Sequence, residues 1–325
     1  MQRNLKKAAD DISYRIALSS EDEEMLAGLM ADPMYMSSKF FYDEAGSKLF
    51  EEITNLHEYY PSRTEKSILN LYAEEIMEGA DNASIVELGS GDCSKISILL
   101  KALPQVTLKK LNYVPFDVSM SAIEDAACKL RERFGIIEIS PIVADFMEHI
   151  PLVSQHENRV FCFFGGTIGN LDRGDGLRFL EKLGRIMRPG ERLLLGLDMV
   201  KDKDVLEKAY NDDGGITARF NKNILKVAND KIGTDFDTRE FQHYAYFEEA
   251  KQRIEMHLVA RKDMIVTSPF FEEALEVQAG ESIHTENSHK FTTDDIDEIA
   301  SFSGLSLRKT YTDSDNWFTL VDYIK

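Results

Sequence analysis

Cysteine is scarce in this 325-residue chain. Cys93, Cys128 and Cys162 are odd in number and show no C-x-x-C spacing. Neither a disulfide framework nor a thiolate zinc site is indicated, and reduced thiols of a cytosolic protein are the simple expectation. Positive charge is also short: 38 Lys and Arg face 57 Asp and Glu, a net charge of −19. Such a balance argues against a nucleic-acid backbone or an anionic membrane surface as partner. No apolar run approaches the length of a membrane span, and the opening MQRNLKKAADDISYRI lacks the apolar core of a signal peptide. There is no internal repeat and no low-complexity linker. His257, His284 and His289 share no ligand spacing that points to a metal. A cytoplasmic protein with a small-molecule ligand and no metal is expected.

What is present is globular in texture: 43% hydrophobic and 29% charged residues, enough chain for one large domain or two ordinary ones. Residues 1 to about 60 read as helical. Ser47 is placed to cap a helix carrying Leu49, Phe50 and Ile53, and Pro61 breaks that pattern. SRTEKSILNLYAEEIMEG then reads as an amphipathic helix with Ile68, Leu69, Leu71 and Ile76 on its apolar side. From residue 84 apolar strands alternate with helical segments: ASIVELGSGD, SKISILLKAL, LNYVPFDVS, MSAIEDAACKLRERFG, IIEISPIVADF, NRVFCFFGGTIGNL and GLRFLEKLGRIMRPGERLLLGLDMV. This spacing predicts a mostly parallel sheet with helices on both faces. Residues 200 to about 290 break the alternation, with helical pieces interrupted at Asp212–Gly215 and then strands. The end, LSLRKTYTDSDNWFTLVDYIK, reads as two strands joined by a polar turn.

Three strand ends carry the candidate chemistry. In VELGSGDCSK, Gly89 and Gly91 let the backbone turn sharply and approach a ligand. The third glycine of a dinucleotide fingerprint is absent, which weakens a phosphate-binding reading. Asp117 ends the next strand, where a carboxylate can accept both hydroxyls of a ribose. Asp145 and Phe146 end the third, an acid and an aromatic suited to the amine and the face of an adenine. Lys95, after the glycines, is either a solvated helix residue or a partner for a carboxylate.

The stretch SIHTENSHKF, residues 282–291, leaves two readings open. Alternation along a strand points Glu286 and Ser288 one way and Thr285 and Asn287 the other. The stretch is an edge strand with a solvated polar face, or it aims a carboxylate and a hydroxyl at a ligand bearing N–H groups.

Taken together, YYPSRTEKSIL, VELGSGDCSK, PFDVS, FFGGTIGNL, LLGLDMVKD, AYNDDGGITARFNKN, RIEMHLVAR and TENSHKF resemble the histidine-specific S-adenosylmethionine-dependent N-alpha-methyltransferases, which make hercynine on the path to ergothioneine. The resemblance runs from about Phe41 to the C-terminus. It includes the 200–290 insert, which generic methyltransferases lack. It implies an α/β fold: a Rossmann-like class I methyltransferase sheet that closes on a hairpin, and a second α+β substrate-binding domain. Residues 63–199 with 291–325 would form the first, and residues 1–62 with 200–290 the second. The implied cofactor is S-adenosylmethionine, the substrate L-histidine, and the molecule a monomer.

Roles follow by the same resemblance. Gly89, Lys95, Asp117, Asp145 and Phe146 match cofactor contacts. Tyr42 and Tyr59 match tyrosines near the reacting amine, and Gly165 a backbone contact to that amine. Asn170 and Tyr210 match the residues that hold the substrate carboxylate. Glu286 and Ser288 match the pair that binds the imidazole, and Met256 packs on its ring. Imidazole offers an N–H to a carboxylate, so Glu286 and Met256 favour histidine over tryptophan. Asn287 stands where an apolar residue is expected, but on the opposite face. Whether Tyr42 and Tyr59 accept the proton, relay it or orient the lone pair stays open. Two alternatives stand beside histidine: another amine, such as a tryptophan derivative or a modified histidine, and a non-catalytic methyltransferase-like binding module.

Overall fold

The computed structural model describes residues 19–135 and 137–325. Expectations for residues 1–18 lie outside them. A large sheet contains β1 (Ser84–Leu88), β2 (Asn112–Asp117), the short β3 (Glu138–Ile139) and β4 (Ile142–Val143), β5 (Arg159–Phe163) and β6 (Arg192–Asp198). The insert supplies β7 (Phe241–Glu248), β8 (Arg253–Ala260), β9 (Met264–Val266), β10 (Leu275–Val277) and β11 (Ser282–His289). The chain closes with β12 (Ser306–Thr312) and β13 (Phe318–Ile324), which return to the large sheet.

The large sheet has the order β12-β13-β6-β5-β1-β2-β3, with β4 also on β2. Strands from β6 to β3 run parallel; β13 is antiparallel to both β6 and β12. Strand order reverses at β1, with β2 on one side and β5 on the other, and a crevice forms where such a reversal occurs. This is the α/β Rossmann-like class I methyltransferase sheet that the resemblance implies, joined by two small sheets. β1, β5 and β6 are buried along their whole length, as strands covered by helices on both faces require. Their side chains divide between two cores: Ile85, Val160, Cys162 and Leu194 face one, while Val86, Leu88, Phe161, Phe163 and Leu193 face the other.

A third apolar core has buried members only from residues 25–60 and 206–283. It packs the helices Glu44–Thr54 and Ile216–Ile232 against the antiparallel sheet β11-β8-β7. Phe41 and Phe220 meet there with ring centroids 4.5 Å apart.

Local expectations need four corrections. The helix Glu44–Thr54 is capped by Asp43, whose side chain accepts the Gly46 N–H at 2.7 Å; Ser47 lies inside the helix. Pro61 starts a helix rather than breaking one. It sits in the first turn of Tyr60–Ile76, where its missing N–H has no partner to lose. Leu71 is 71% exposed while Ile68, Leu69 and Ile76 are buried. The strand expected in IIEISPIVADF is split into β3 and β4, separated by Ser140-Pro141.

β11 lies at one end of its sheet, but Thr285, Glu286, Ser288 and His289 are buried, and Ser282, His284 and Asn287 are half-buried. On its free side, Met36 donates to the His284 carbonyl at 2.8 Å and His284 to the Met34 carbonyl at 3.0 Å. Glu286 and Ser288 therefore lie on an inward face of this stretch rather than on a solvated edge.

Candidate active site

A cavity of about 810 Å³ lies between the carboxyl ends of the parallel strands and the insert. All the site residues expected from sequence border it: Gly89, Lys95, Asp117, Asp145 and Phe146 with Gly165 and Asn170, and Tyr42, Tyr59, Tyr210, Met256, Glu286 and Ser288.

The sheet side is built from backbone and strand-end acids. Gly89 and Gly91 have φ of +71° and +49°, which side chains rarely adopt. The Asp117 carboxylate accepts the N–H groups of Gly91 (3.3 Å) and Ser119 (3.0 Å), tying the loop after β1 to the loop after β2. Burial nonetheless raises its carboxyl above the ordinary value. One oxygen of Asp145 caps the following turn through the Met147 N–H at 2.8 Å. Phe146 packs edge-on against Phe163 at 5.4 Å. Ser90 has a buried hydroxyl without a hydrogen-bond partner in this wall. An orphaned hydroxyl beside an open glycine loop and a strand-end carboxylate fits a ligand with polar groups of its own.

Lys95 does reach a carboxylate, but a protein one. Its Nζ lies 2.7 Å from Oε2 of Glu65, which is 0% exposed. Both Glu65 oxygens also accept the Gly165 N–H, at 2.9 and 3.0 Å. Only the carbonyl of Gly165 is left for an amine. Glu87, before the glycines, is buried and accepts from the Tyr113 hydroxyl at 2.5 Å; burial pushes its carboxyl up to about 8.

The insert side is aromatic and hydroxylic. Tyr59 precedes the helix Tyr60–Ile76, and Tyr210 ends the helix Lys203–Tyr210; their rings meet at 6.1 Å, edge to face. Tyr42 packs edge-on to Phe50 and Phe220 at 5.6 and 5.9 Å. Burial first, and the nearby Glu286 as well, push the hydroxyls of Tyr42 and Tyr59 well above 10. Both are neutral donors and acceptors near neutral pH, not tyrosinate bases. Met256 on β8 stands opposite Glu286 on β11. No protein group hydrogen-bonds the Glu286 carboxyl among the described residues; burial raises it to about 8, with Lys290 pulling the other way. Asn287 is turned away from the cavity, its amide 3.3 Å from Asp172. Gly169 is required beside Asn170, since a Cβ there would come within 2.8 Å of the His289 carbonyl.

Sequence reasoning missed the charge network behind this wall. Asp198, at the end of β6, accepts from Tyr60 (2.7 and 2.9 Å), Lys201 (2.5 Å) and Lys290 (2.7 Å). Burial opposes the charge, but the two lysines hold the carboxyl below its ordinary value. Lys290 is 0% exposed and also donates to Ser288 (2.8 Å) and Tyr210 (3.2 Å). Tyr210 in turn donates to Ser288 at 2.7 Å. Outside the cavity, Glu255, His257 and His284 have ligand atoms within 4.8 Å of one another. The carboxylate of Glu255 is already held by Arg253 at 2.6 Å and Tyr246 at 2.8 Å.

A family model described as histidine-specific methyltransferase, SAM-dependent, matches residues 21–324. The chain belongs to this family. Over 298 residues it is 39% identical to the histidine N-alpha-methyltransferase of Mycobacterium tuberculosis, spanning 91% of this chain and 92% of that one. The corresponding protein of Mycolicibacterium smegmatis is 38% identical over 296 residues, 91% and 90% of the two chains. An L-tryptophan methyltransferase of Psilocybe serbica is 25% identical over 336 residues, 91% and 90% of the two chains. The family assigns S-adenosylmethionine as methyl donor. No helix among the described residues is long and apolar enough to cross a membrane.

Proposed function

We propose that this enzyme transfers methyl groups from S-adenosylmethionine to the alpha-amino nitrogen of L-histidine, three times, giving hercynine for ergothioneine biosynthesis. The observation that carries the reading is the buried, unpartnered carboxyl of Glu286 beside Ser288 and opposite Met256, in the wall facing the glycine loop. A buried acid without a partner is costly, so it selects a ligand that supplies an N–H donor.

Glu286 and Ser288 hold the ring, and Met256 packs on its face. Asn170 and Tyr210 hold the carboxylate; Tyr210 stands between the two clamps, its hydroxyl on Ser288 in this structure. Fixing both ends leaves the amine one direction, toward the Gly165 carbonyl and the hydroxyls of Tyr59 and Tyr42. S-adenosylmethionine, held by Gly89, Lys95, Asp117, Asp145 and Phe146, supplies an electrophilic methyl. Lys95 serves through Glu65, keeping the cofactor loop and the Gly165 loop in register. The amine attacks only as the free base. In the first two transfers the neutral tyrosines accept a hydrogen bond from an N–H that the free amine still carries, which turns the lone pair to the methyl; the third attack comes from a tertiary amine with no N–H. As each N–C bond forms the methyl–sulfur bond breaks and S-adenosylhomocysteine leaves, and the first two product ammoniums lose a proton to solvent before the next attack. Tyrosine faces also suit a nitrogen that gains permanent positive charge.

We assign the described residues up to 62, with 200–290, to a substrate-binding domain, and 63–199 and 291–325 to the methyltransferase domain. The apolar core drawn from 25–60 and 206–283 supports that division. The enzyme acts as a cytoplasmic monomer.

The test is mass spectrometry of the protein incubated with S-adenosylmethionine and an equimolar mixture of the twenty amino acids. Three added methyls on histidine alone are expected. Methylation of tryptophan would move the substrate to another amine. Cofactor binding without turnover would make the protein a binding module.

A further inference from the structure

Glu65 is fully buried on the helix Tyr60–Ile76, and both of its partners line the cavity. Its two carboxylate oxygens accept the Gly165 N–H at 2.9 and 3.0 Å, and one of them lies 2.7 Å from Nζ of Lys95. The fold keeps space for this carboxylate: a Cβ on Gly196 of β6 would collide with its Oε1. Lys95 sits as tightly against the loop, since a Cβ on Gly165 would come within 2.9 Å of its Nζ.

These contacts lie next to the peptide between Gly165 and Gly166. Both residues have φ in the left-handed region, +80° and +66°. A peptide flanked by two glycines has no side chain to stop it turning over. Inverted, it would offer the cavity the Gly166 N–H, a donor, in place of the Gly165 carbonyl, an acceptor. On its far side the Gly166 carbonyl accepts the Gly169 N–H at 2.8 Å. On its near side the Phe164 carbonyl accepts the Thr167 hydroxyl at 2.9 Å, a bond local to the turn. Among the described residues, Glu65 alone ties the Gly165 N–H to another part of the molecule.

We infer that Glu65 is a positioning residue that keeps the Gly165 carbonyl aimed at the substrate amine, and that it serves the first methyl transfer but not the third. The inference rests on the proposed function, in which that amine belongs to histidine and is methylated three times. The attacking primary amine carries two N–H bonds. One of them, given to the Gly165 carbonyl, turns the nitrogen lone pair toward the methyl. After two transfers the amine is tertiary, and its attacking form has no N–H left to give. The carbonyl then has nothing to hold, and the brace behind it has nothing to add. A residue needed only for the integrity of the pocket would serve all three transfers alike.

The experiment uses the full-length protein in excess over the amine, with saturating S-adenosylmethionine. The rate at which the starting amine disappears then reads one transfer: the first from L-histidine, the third from its N-alpha-dimethyl derivative. Glu65→Ala is expected to slow the first transfer about tenfold, the scale of one lost hydrogen bond, and the third by less than about twofold. Glu65→Gln keeps an oxygen for the Gly165 N–H and should return the first transfer to near the wild-type rate. Equal slowing of both transfers in Glu65→Ala, or an unchanged first transfer, would overturn the inference. The ratio of the two rates in one sample cancels any loss of folded enzyme. If Glu65→Ala does not fold, Glu65→Asp decides. It keeps a carboxylate beside Lys95 but is one methylene too short for Gly165, so the same uneven slowing is expected, and even slowing would overturn the inference. Wild-type protein that methylates neither amine would remove the substrate reading, and this inference with it.

Discussion

The two walls of the cavity are built by different means. In the sheet wall each strand-end acid is braced by a backbone N–H two residues on, Asp145 by Met147 and Asp117 by Ser119, with Asp117 also holding Gly91 of the neighbouring loop. The insert wall rests on a network of buried side chains, most of them far apart in the chain. Ser288 takes one bond from Lys290, two residues on, and one from Tyr210, 78 residues away, while Lys290 rests on Asp198, 92 residues away. A local brace survives changes elsewhere, whereas a network of buried charges fails as a unit. The sheet wall should therefore respond to mutation one contact at a time, and the insert wall all at once.

The sharpest break of that contrast is Asp198→Asn. It leaves Lys201 and Lys290 buried without their counter-charge. Losing one partner of a buried ion pair costs about 3–5 kcal/mol, and urea unfolding should read a loss of that order. Histidine binding should fall in the same variant, because Lys290 no longer has a fixed place from which to hold Ser288. A variant with native stability and native histidine affinity would show that the network is not a unit.

Glu286→Ala comes next. Removing the acceptor of the ring N–H is expected to lower kcat/KM for histidine by about 10- to 100-fold, mostly through KM, and to relax selectivity toward tryptophan-like rings. Steady-state kinetics on histidine and tryptophan check it. Unchanged histidine kinetics would remove Glu286 from the ring clamp. On the opposite wall, Asp117→Ala should weaken S-adenosylmethionine about tenfold by calorimetry while leaving the histidine KM in place. If both ligands weaken equally, the two walls are not separable.

The same contrast explains what could be read from the chain. The order of strands and helices from residue 84, the glycine loop and the strand-end acids Asp117 and Asp145 are written in short windows, where hydrophobic period and glycine punctuation carry the signal. Glu286 and Ser288 are two apart, so a strand's alternation alone places them on one face. Asp198, Lys201, Lys290, Tyr60 and Glu65 also sit in stretches that carry the family resemblance, LLGLDMVKD, SHKF and YYPSRTEK. Nothing local distinguishes a buried lysine from a solvated one. Their roles emerge only when β6, β11 and the helix Tyr60–Ile76 converge. Leu71 and Ser47 mislead for the opposite reason: a periodic apolar position and a good capping residue are local signals that packing overrode.

The smallest expected effect separates the walls by pH. Each holds a buried acid raised to about 8, Glu87 on the sheet side and Glu286 on the insert side. An acid whose folded value exceeds its unfolded one binds its proton more tightly when folded. Stability is therefore full below about 4.5 and falls as pH rises toward 8. Glu286→Gln removes that loss, so the variant's Tm should match wild type near pH 4.5 and exceed it at pH 8. Each kcal/mol relieved is worth roughly 2–4 °C. Glu87 has its own donor, the Tyr113 hydroxyl, whereas among the described residues Glu286 has none, and on the proposed function the substrate supplies it. Saturating histidine should therefore shrink the Tm gap between wild type and Glu286→Gln at pH 8, and leave the gap between wild type and Glu87→Gln untouched. Thermal melts at two pH values, with and without histidine, would show whether the buried acid of the insert wall is held ready for the substrate or is simply part of the core.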